Sequence, residues 1–404
     1  MTGTTLATPI SVERPHNVKV LHIITRMIVG GAQENTLLTA AGIGQLPGYE
    51  VHLATGVDDG AEGEIPATAP GIRKVTVIPE MRRSVNPIVD VVALWKLYRF
   101  MRREKFDIVH THLAKAGILG RIAARLAGVP IVVHGLHGMV FNDYQTWAVN
   151  RACWAAQRLV DPITDHYVTV STVVTDKAVD AGIGTRSNHT TIYSGMELDW
   201  FIAPAVEAEA ARLKWGIPAS AKVVGTIARM VPVKGHDLLF EAMPDILRRH
   251  PDTWFLLVGD GPLTDEFRDR AKQMGIADRV VFCGLVPREE IPAALAAMDL
   301  MAHPALYEGL PRVLVQALAM GKPCVAFDAD GTREVVVSGE TGYLITPGDA
   351  VAFAGAVNEL LADHERRQRF GSAGRKRVDP AFRVETMVSD TDRVYQELYQ
   401  RRKA

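Results

Sequence analysis

Cations, a carboxylate and paired glycines occur in this chain where runs of β-branched residues give way to helical patterns. Arg229 and Lys234 lie in ARMVPVKGHDLLFEA, directly after the apolar run 222–228. An arginine forks onto phosphate oxygens and a lysine adds a point charge, so the pair suits a diphosphate. Glu308 stands in YEGLPRVLVQALAMG, residues 307–321. Pro311 suits a first helical turn and Gly321 the position just past the end. Gly309 and Leu310 would then offer free amide N–H groups to an anion at the positive helix end. A carboxylate repels phosphate, so Glu308 fits as an acceptor of hydrogen bonds from hydroxyls, as on a sugar. Gln316 lies about one and a half turns past Pro311 and can reach a second set of hydroxyls, such as those of a ribose. A bland reading, in which Glu308 merely favours a helix start, does not explain Gln316. Its amide needs a polar partner if buried.

Other motifs are weaker. Gly30 and Gly31 follow the first strand-like run and precede a helix, where they let a backbone approach a ligand or simply make a tight turn. VGDGPLT at 258–264 has Gly259 and Gly261, but Thr264 stands where a dinucleotide motif would place its third glycine. These glycines read as a tight turn beside a nucleotide. His110 and His112 end one run, and His134 and His137 the next. Residues 110 and 112 share a strand face, and such a pair can bind zinc, but no carboxylate follows at helical spacing. A lone histidine is more often a satisfied structural residue; four at adjacent strand ends point to the cleft. Asp328-Ala329-Asp330 has the spacing of a metal-binding pair, but its late position favours a loop role.

The elements that must position these residues alternate along the chain. Strand patterns at 18–24, 50–55, 75–78, 106–109, 131–134, 167–170 and 190–193 enclose helical patterns at 32–45, 87–103, 115–126 and 146–160. Such alternation implies a parallel sheet with right-handed crossovers. After a polar pause near 197–215 a second series begins, with strands at 222–228, 253–258, 279–283, 299–302 and 323–327. The expectation is α/β, with two Rossmann-like domains facing across a cleft at 17–198 and 199–385. A loose leader at 1–16 and a terminal helix at 386–404 complete it. Ligands in open parallel sheets bind beyond the carboxyl ends of the strands, where the motifs above fall.

Composition excludes several classes. The 404 residues are 48% hydrophobic and 23% charged, which rules out a disordered or fibrous chain. A net charge of -1 leaves no basic excess for a nucleic-acid partner. Three separated cysteines, Cys153, Cys283 and Cys324, fit a reducing compartment and no disulfide scaffold. No apolar run reaches the roughly 18 residues of a membrane span, so a cytoplasmic protein is expected. The helix at 87–103 carries Trp95, Tyr98 and Phe100 beside Lys96, Arg99, Arg102 and Arg103, with Arg82 and Arg83 in the loop before it. Apolar and basic residues together suit a helix lying on anionic lipid, although a core face plus a solvated face is the usual account.

Taken in order, these motifs resemble the family 4 retaining glycosyltransferases of the GT-B fold. The likeness runs from about residue 18 to 400 through the Gly30-Gly31 loop, DIVHTHLAKAGILGR at 107–121, VVHGLHGMVF at 132–141 and IYSGMELDWF at 192–201. It continues through ARMVPVKGH at 228–236, VGDGP at 258–262 and YEGLPRVLVQALAMGKPCVA at 307–326. The resemblance implies transfer of a sugar from a nucleotide-diphosphate sugar to a saccharide, lipid-linked or small-molecule acceptor hydroxyl. Anomeric configuration would be kept, and no metal or other cofactor would be needed. It implies that Arg229 and Lys234 bind the diphosphate, that Gly31 belongs to the glycine loop near the phosphate, and that Glu308 touches donor hydroxyls. His137 matches the histidine near the reacting sugar, and His110 and His112 fall on the acceptor side. The terminal helix would cross back to the first domain. One residue departs from the pattern: the second acid of the family's glutamate pair is Gln316 here, which puts donor affinity or nucleotide preference in question. Outside the resemblance, three other readings stand: a nucleotide-sugar epimerase or hydrolase, a histidine-based metal hydrolase, and a non-enzymatic sugar-nucleotide sensor.

Overall fold

A computed structural model describes residues 17–57, 67–141, 145–203 and 207–403. The leader expected at 1–16 lies outside the described residues. The first sheet has seven parallel strands: β1 (Val18–Ile24), β2 (Tyr49–Thr55), β3 (Ile72–Val77), β4 (Ile108–His112), β5 (Ile131–Leu136), β6 (His166–Thr169) and β7 (His189–Thr191). Their spatial order is 3-2-1-4-5-6-7. The second sheet has six: β8 (Lys222–Ile227), β9 (Thr253–Val258), β10 (Val280–Gly284), β11 (Leu300–His303), β12 (Cys324–Phe327) and β13 (Gly342–Ile345). Their order is 10-9-8-11-12-13. Both are open parallel sheets whose order reverses beside the first strand, and that reversal opens a crevice at the strand ends.

Central strands are apolar throughout because helices cover both faces. Val20 is fully buried and registers with Val51 on one side and Ile108 on the other. The helix Gly31–Gln45 follows β1, and Arg312–Ala319 follows β11 after a loop. β4 starts and ends later than its apolar pattern suggests, so that His110 and His112 lie inside the strand. β13 (Gly342–Ile345), at the edge of the second sheet, has no counterpart among the strands expected from the sequence.

The chain then returns to the first domain. Met196 N–H donates to the Phe382 carbonyl (2.9 Å), and Val384 N–H donates to the Met196 carbonyl (3.2 Å). Beyond this crossing the helix Val384–Lys403 buries Met387, Val388, Val394, Tyr395 and Leu398 against Val18, Val20, Ala40 and Ile43. Tyr49 Oη donates to Asp392 Oδ1 at 2.5 Å and ties the helix to β2.

Candidate active site

The charged wall of the cleft belongs to the second domain. Lys234 ends the short turn Pro232–Lys234 after β8, and its Nζ lies 2.5 Å from Glu308 Oε1. His303, the last residue of β11, brings Nε2 to 2.9 Å from the same oxygen. Burial disfavours an ionised Glu308, but the Lys234 charge and the His303 hydrogen bond outweigh it and hold the carboxyl down at about 2. The main-chain N–H of Glu308 donates to Asp330 Oδ2 at 3.1 Å. Asp330 also pairs with Lys177 of the first domain. Asp328 is engaged by Arg333 through two contacts of 3.0 and 2.9 Å, so both carboxylates of the D-x-D hold loop structure together.

The first-domain residues that face this cluster are uncharged, and the cations of that domain, Arg151 and Lys177, line an opening beside it. His137 follows β5, and its carbonyl would lie 2.1 Å from any Cβ placed on Gly309, so only glycine permits this closeness. Burial, with the Arg312 charge adding to it, pushes His137 down to about 4. Between the walls lies a cleft of about 380 Å³ bounded by Ala32, His137, Gly138, Lys234, Glu308 and Gly309. A larger opening of about 520 Å³ shares Met139 and Tyr307 with it and is lined further by Trp147, Arg151, Trp154 and Lys177.

Other residues singled out in the sequence distribute as follows. Arg229 sits exposed on the loop after β8, outside the ring that bounds the cleft. Gly259 takes φ +129°, a backbone state that strongly favours glycine, and its turn packs on the Arg229 loop. Met230 N–H donates to the Asp260 carbonyl there (3.0 Å). Thr264 replaces a third glycine because its hydroxyl donates to Asp260 Oδ1 (2.6 Å) and fixes the turn. Gly30 is extended at φ 176°. Gly31 opens its helix where a Cβ would meet Arg312 Cδ at 2.9 Å, so close packing explains it. Leu310 is buried in the core with Leu314. Gln316 is half-buried on its helix, and its side-chain amide has no partner among the described residues.

His110 and His112 correct an expectation. They are 2% and 1% exposed, packed beneath the returning C-terminal helix, and cannot touch an acceptor. His134 is also buried and exchanges a 2.9 Å hydrogen bond with Thr111 Oγ1. Three charged or polar neighbours of the cleft were not foreseen. His303 could have been noticed as a strand-end histidine five residues before Glu308. Lys177 comes from the other domain. Arg312 is a buried cation that donates to Ser194 Oγ (2.6 Å) and the Gly195 carbonyl (2.9 Å) and pairs with Glu34 (3.0 Å). Thr172 and Val173 N–H donate to Glu334 of the second domain at 3.0 and 3.2 Å. Arg312 and Glu334 thus join the two walls.

Two family models divide the chain between them. Residues 29–200 match Glycosyltransferase Family 4, and residues 207–377 match Glycosyl transferases group 1. An Escherichia coli UDP-Gal:alpha-D-GlcNAc-diphosphoundecaprenol alpha-1,3-galactosyltransferase is 32% identical over 295 residues, covering 71% of this chain and 74% of that protein. A GDP-mannose-dependent alpha-(1-6)-phosphatidylinositol monomannoside mannosyltransferase of Mycolicibacterium smegmatis is 34% identical over 65% of this chain and 69% of that protein. Among solved structures, Anabaena HepE in complex with UDP and glucose superimposes with a TM-score of 0.78 at 23% identity, covering 94% of this chain and all of that one. With two parallel sheets facing across a cleft and both halves matched, the chain belongs to the family 4 glycosyltransferases and is a GT-B enzyme that uses nucleotide-sugar donors.

Proposed function

We propose that this glycosyltransferase retains anomeric configuration, works without a bound metal, and acts on a lipid-linked acceptor at a membrane surface. The observation that carries the reading is the Lys234–Glu308–His303 cluster facing His137 across a cleft the size of a small ligand. Lys234 in the cleft and the first amides of Arg312–Ala319, joined by Arg229 from the exposed loop after β8, offer positive charge to a departing diphosphate in place of a metal. Glu308, held ionised, accepts hydrogen bonds from donor-sugar hydroxyls. The acceptor enters on the face from which the diphosphate leaves. Its oxygen bonds to the anomeric carbon as the carbon–oxygen bond to the diphosphate breaks, and a diphosphate oxygen takes the acceptor proton. No enzyme nucleophile is needed.

Support for a membrane-side acceptor comes from the helix Pro87–Glu104. Its core face is Ala93, Leu97, Phe100 and Met101. Ile88, Val91, Val92 and Trp95 form a second apolar stripe at helical spacing that is exposed, Ile88 to 80%. Exposed Arg82, Arg83, Arg99, Arg102 and Arg103 flank it, with Arg99 stacked 4.8 Å over the Trp95 ring. An apolar stripe bordered by cations suits anionic lipid. Two relatives have lipid-borne acceptors in their names, a diphosphoundecaprenol and a phosphatidylinositol monomannoside. No helix among the described residues is long and apolar enough to cross a membrane.

The test is a panel of UDP- and GDP-sugars with vesicle-borne glycolipids, read as nucleoside diphosphate release and as the anomeric configuration of the product. Retention, with turnover unchanged by EDTA, is expected. An inverted product or loss of turnover on chelation defeats the reading. Sedimentation with anionic vesicles should succeed at low salt and weaken in Ile88→Asp/Trp95→Asp. Absence of binding at low salt sinks the membrane component.

A further inference from the structure

Behind His137 the imidazoles run into the core in a chain. His137 Nε2 lies 3.0 Å from His112 Nδ1, and His112 Nε2 lies 3.0 Å from His22 Nδ1. His22 Nε2 is 3.4 Å from Tyr395 Oη, and Tyr395 Oη is 2.7 Å from His110 Nδ1. We propose that this relay, ending on the C-terminal helix, sets which nitrogen of His137 carries its proton in the donor cleft, with His112, His22 and Tyr395 acting as positioning residues. The proposal rests on the glycosyltransferase reading only for its effect on rate.

The cluster also has the composition of a metal site, since donor atoms of His22, His110 and His112 lie within 4.8 Å of one another. Ring geometry argues for hydrogen bonds instead. His22 and His112 are tilted by only 10° with centroids 5.3 Å apart, so their facing nitrogens meet edge to edge. A zinc ion about 2.0 Å from both nitrogens would have to lie beside the line that joins them, whereas in these nearly coplanar rings the two nitrogens point along that line, where a shared proton lies. Space for the rings is built in. Gly135 of β5 stands opposite His112, and a Cβ there would come within 2.8 Å of His112 Nδ1.

Burial keeps the rings neutral: His22 is pushed down to about 3, and His110 and His112 fall well below the ordinary range. A neutral imidazole has one N–H and one lone pair. Each ring in the chain must therefore donate in one direction and accept from the other, and the choice is collective. His110 Nε2 is buried without a partner among the described residues. A buried orphan N–H is rarer and costlier than an unused lone pair. That favours His110 Nδ1–H donating to Tyr395, Tyr395 O–H to His22, His22 Nδ1–H to His112, and His112 Nδ1–H to His137. His137 then holds its own proton on Nδ1, the nitrogen outside the relay, free to donate to a donor-sugar hydroxyl.

The experiment is long-range ¹H–¹⁵N correlation on ¹⁵N-histidine protein, with His137 assigned by its loss in His137→Gln. Wild type should show the Nδ1–H form of His137. Tyr395→Phe and His112→Leu should shift it towards a mixture or the Nε2–H form. His112→Asn, whose short amide sits near the former Nδ1 and can still donate, should keep Nδ1–H. Tyr49→Phe, which loosens the same helix outside the relay, should leave the His137 signal unchanged. With substrate, Tyr395→Phe should lower kcat about tenfold with donor KM little changed. An Nε2–H His137 in wild type, a tautomer insensitive to His112→Leu and Tyr395→Phe, or stoichiometric metal in the purified protein would overturn the relay. The spectra need no substrate, so they decide the relay even if transfer chemistry is differently arranged. An intact relay with no change in kcat would overturn only its catalytic consequence.

Discussion

The two walls of the cleft solve the same problem, holding polar groups in a largely dry place, in opposite ways. Behind the first-domain wall lie imidazoles driven neutral by burial and bonded to one another. The second-domain wall carries an ionised Glu308 kept so by Lys234 and His303. A neutral chain costs little to bury while every hydrogen bond is made, and it can fix direction. An ion pair is expensive to bury, but its field is already oriented when charge develops on a leaving group. Under the proposed mechanism, this difference gives orientation of the sugar to one wall and charge stabilisation to the other.

Acid should break this symmetry most strongly. An unfolded histidine takes up its proton near pH 6.5, whereas folded His137 resists until about 4 and His22 until about 3. Between those values the unfolded chain binds more protons, so falling pH favours unfolding. Each group costs about 1.4 kcal/mol per pH unit across its window. That cost is absent above pH 6.5. Glu308 behaves differently: lowered from 4.5 to about 2, it stabilises the fold above pH 4.5, and this is lost as pH falls towards 2. The second domain is not exempt, since His236 is pushed down to about 4, but its load is smaller. At pH 5, hydrogen exchange should accelerate in β1, β4 and β5 while the loop around 303–308 stays protected. Equal loss of protection in both, or earlier loss around Glu308, would contradict the contrast between walls.

Removing the cation should be the largest single-residue effect on catalysis. Lys234→Ala is expected to lower kcat roughly a hundredfold or more and to destabilise the fold by about 3 kcal/mol, because Glu308 is left buried without its main partner. Glu308→Gln alone should cost about tenfold to a hundredfold in kcat/KM through weaker bonds to sugar hydroxyls. The double variant separates the two roles of the pair. Adding Glu308→Gln to Lys234→Ala removes the stranded charge, so thermal stability should recover while transfer stays lost. If activity recovers with stability, Lys234 is a structural partner of Glu308 and not a diphosphate ligand.

Strand periodicity and turn chemistry made both sheets legible, because parallel strands covered on both faces are apolar runs ended by glycine, proline or charge. The place of Lys234 and Glu308 at one cleft was legible for a related reason: both follow strand ends, where such sheets open a crevice. Alternation also put His110 and His112 correctly on one face. Which surface that face meets depends on a helix that arrives some 280 residues later to place Tyr395 against His110, and no local pattern carries that information. Arg312 was hidden in the same way. Nothing in its local spacing marks it, and only the packing of Glu34 and Ser194 against it makes it an interdomain tie. Local spacing encodes the elements, whereas contacts made by the chain's return are set by global packing.

The smallest expected effect concerns Gln316, which the sequence reading set apart from the resemblance's paired acids. Gln316 stands in the helix that follows the Glu308 loop, half-buried, with an amide that has no partner among the described residues. A ribose hydroxyl can donate to a glutamine carbonyl or to a glutamate carboxylate, and the charged acceptor makes the stronger bond by about 1 kcal/mol. Gln316→Glu should therefore tighten donor binding about fivefold, seen as a lower donor KM and stronger inhibition by the nucleoside diphosphate product. It should leave kcat within about twofold, since the ribose contact is the same before and after the sugar leaves, and uniform binding does not speed the chemical step. A tenfold or larger rise in kcat would mean that charge at position 316 acts on the leaving group itself. The division of labour between the two walls would then have to include a second acid on the charged side.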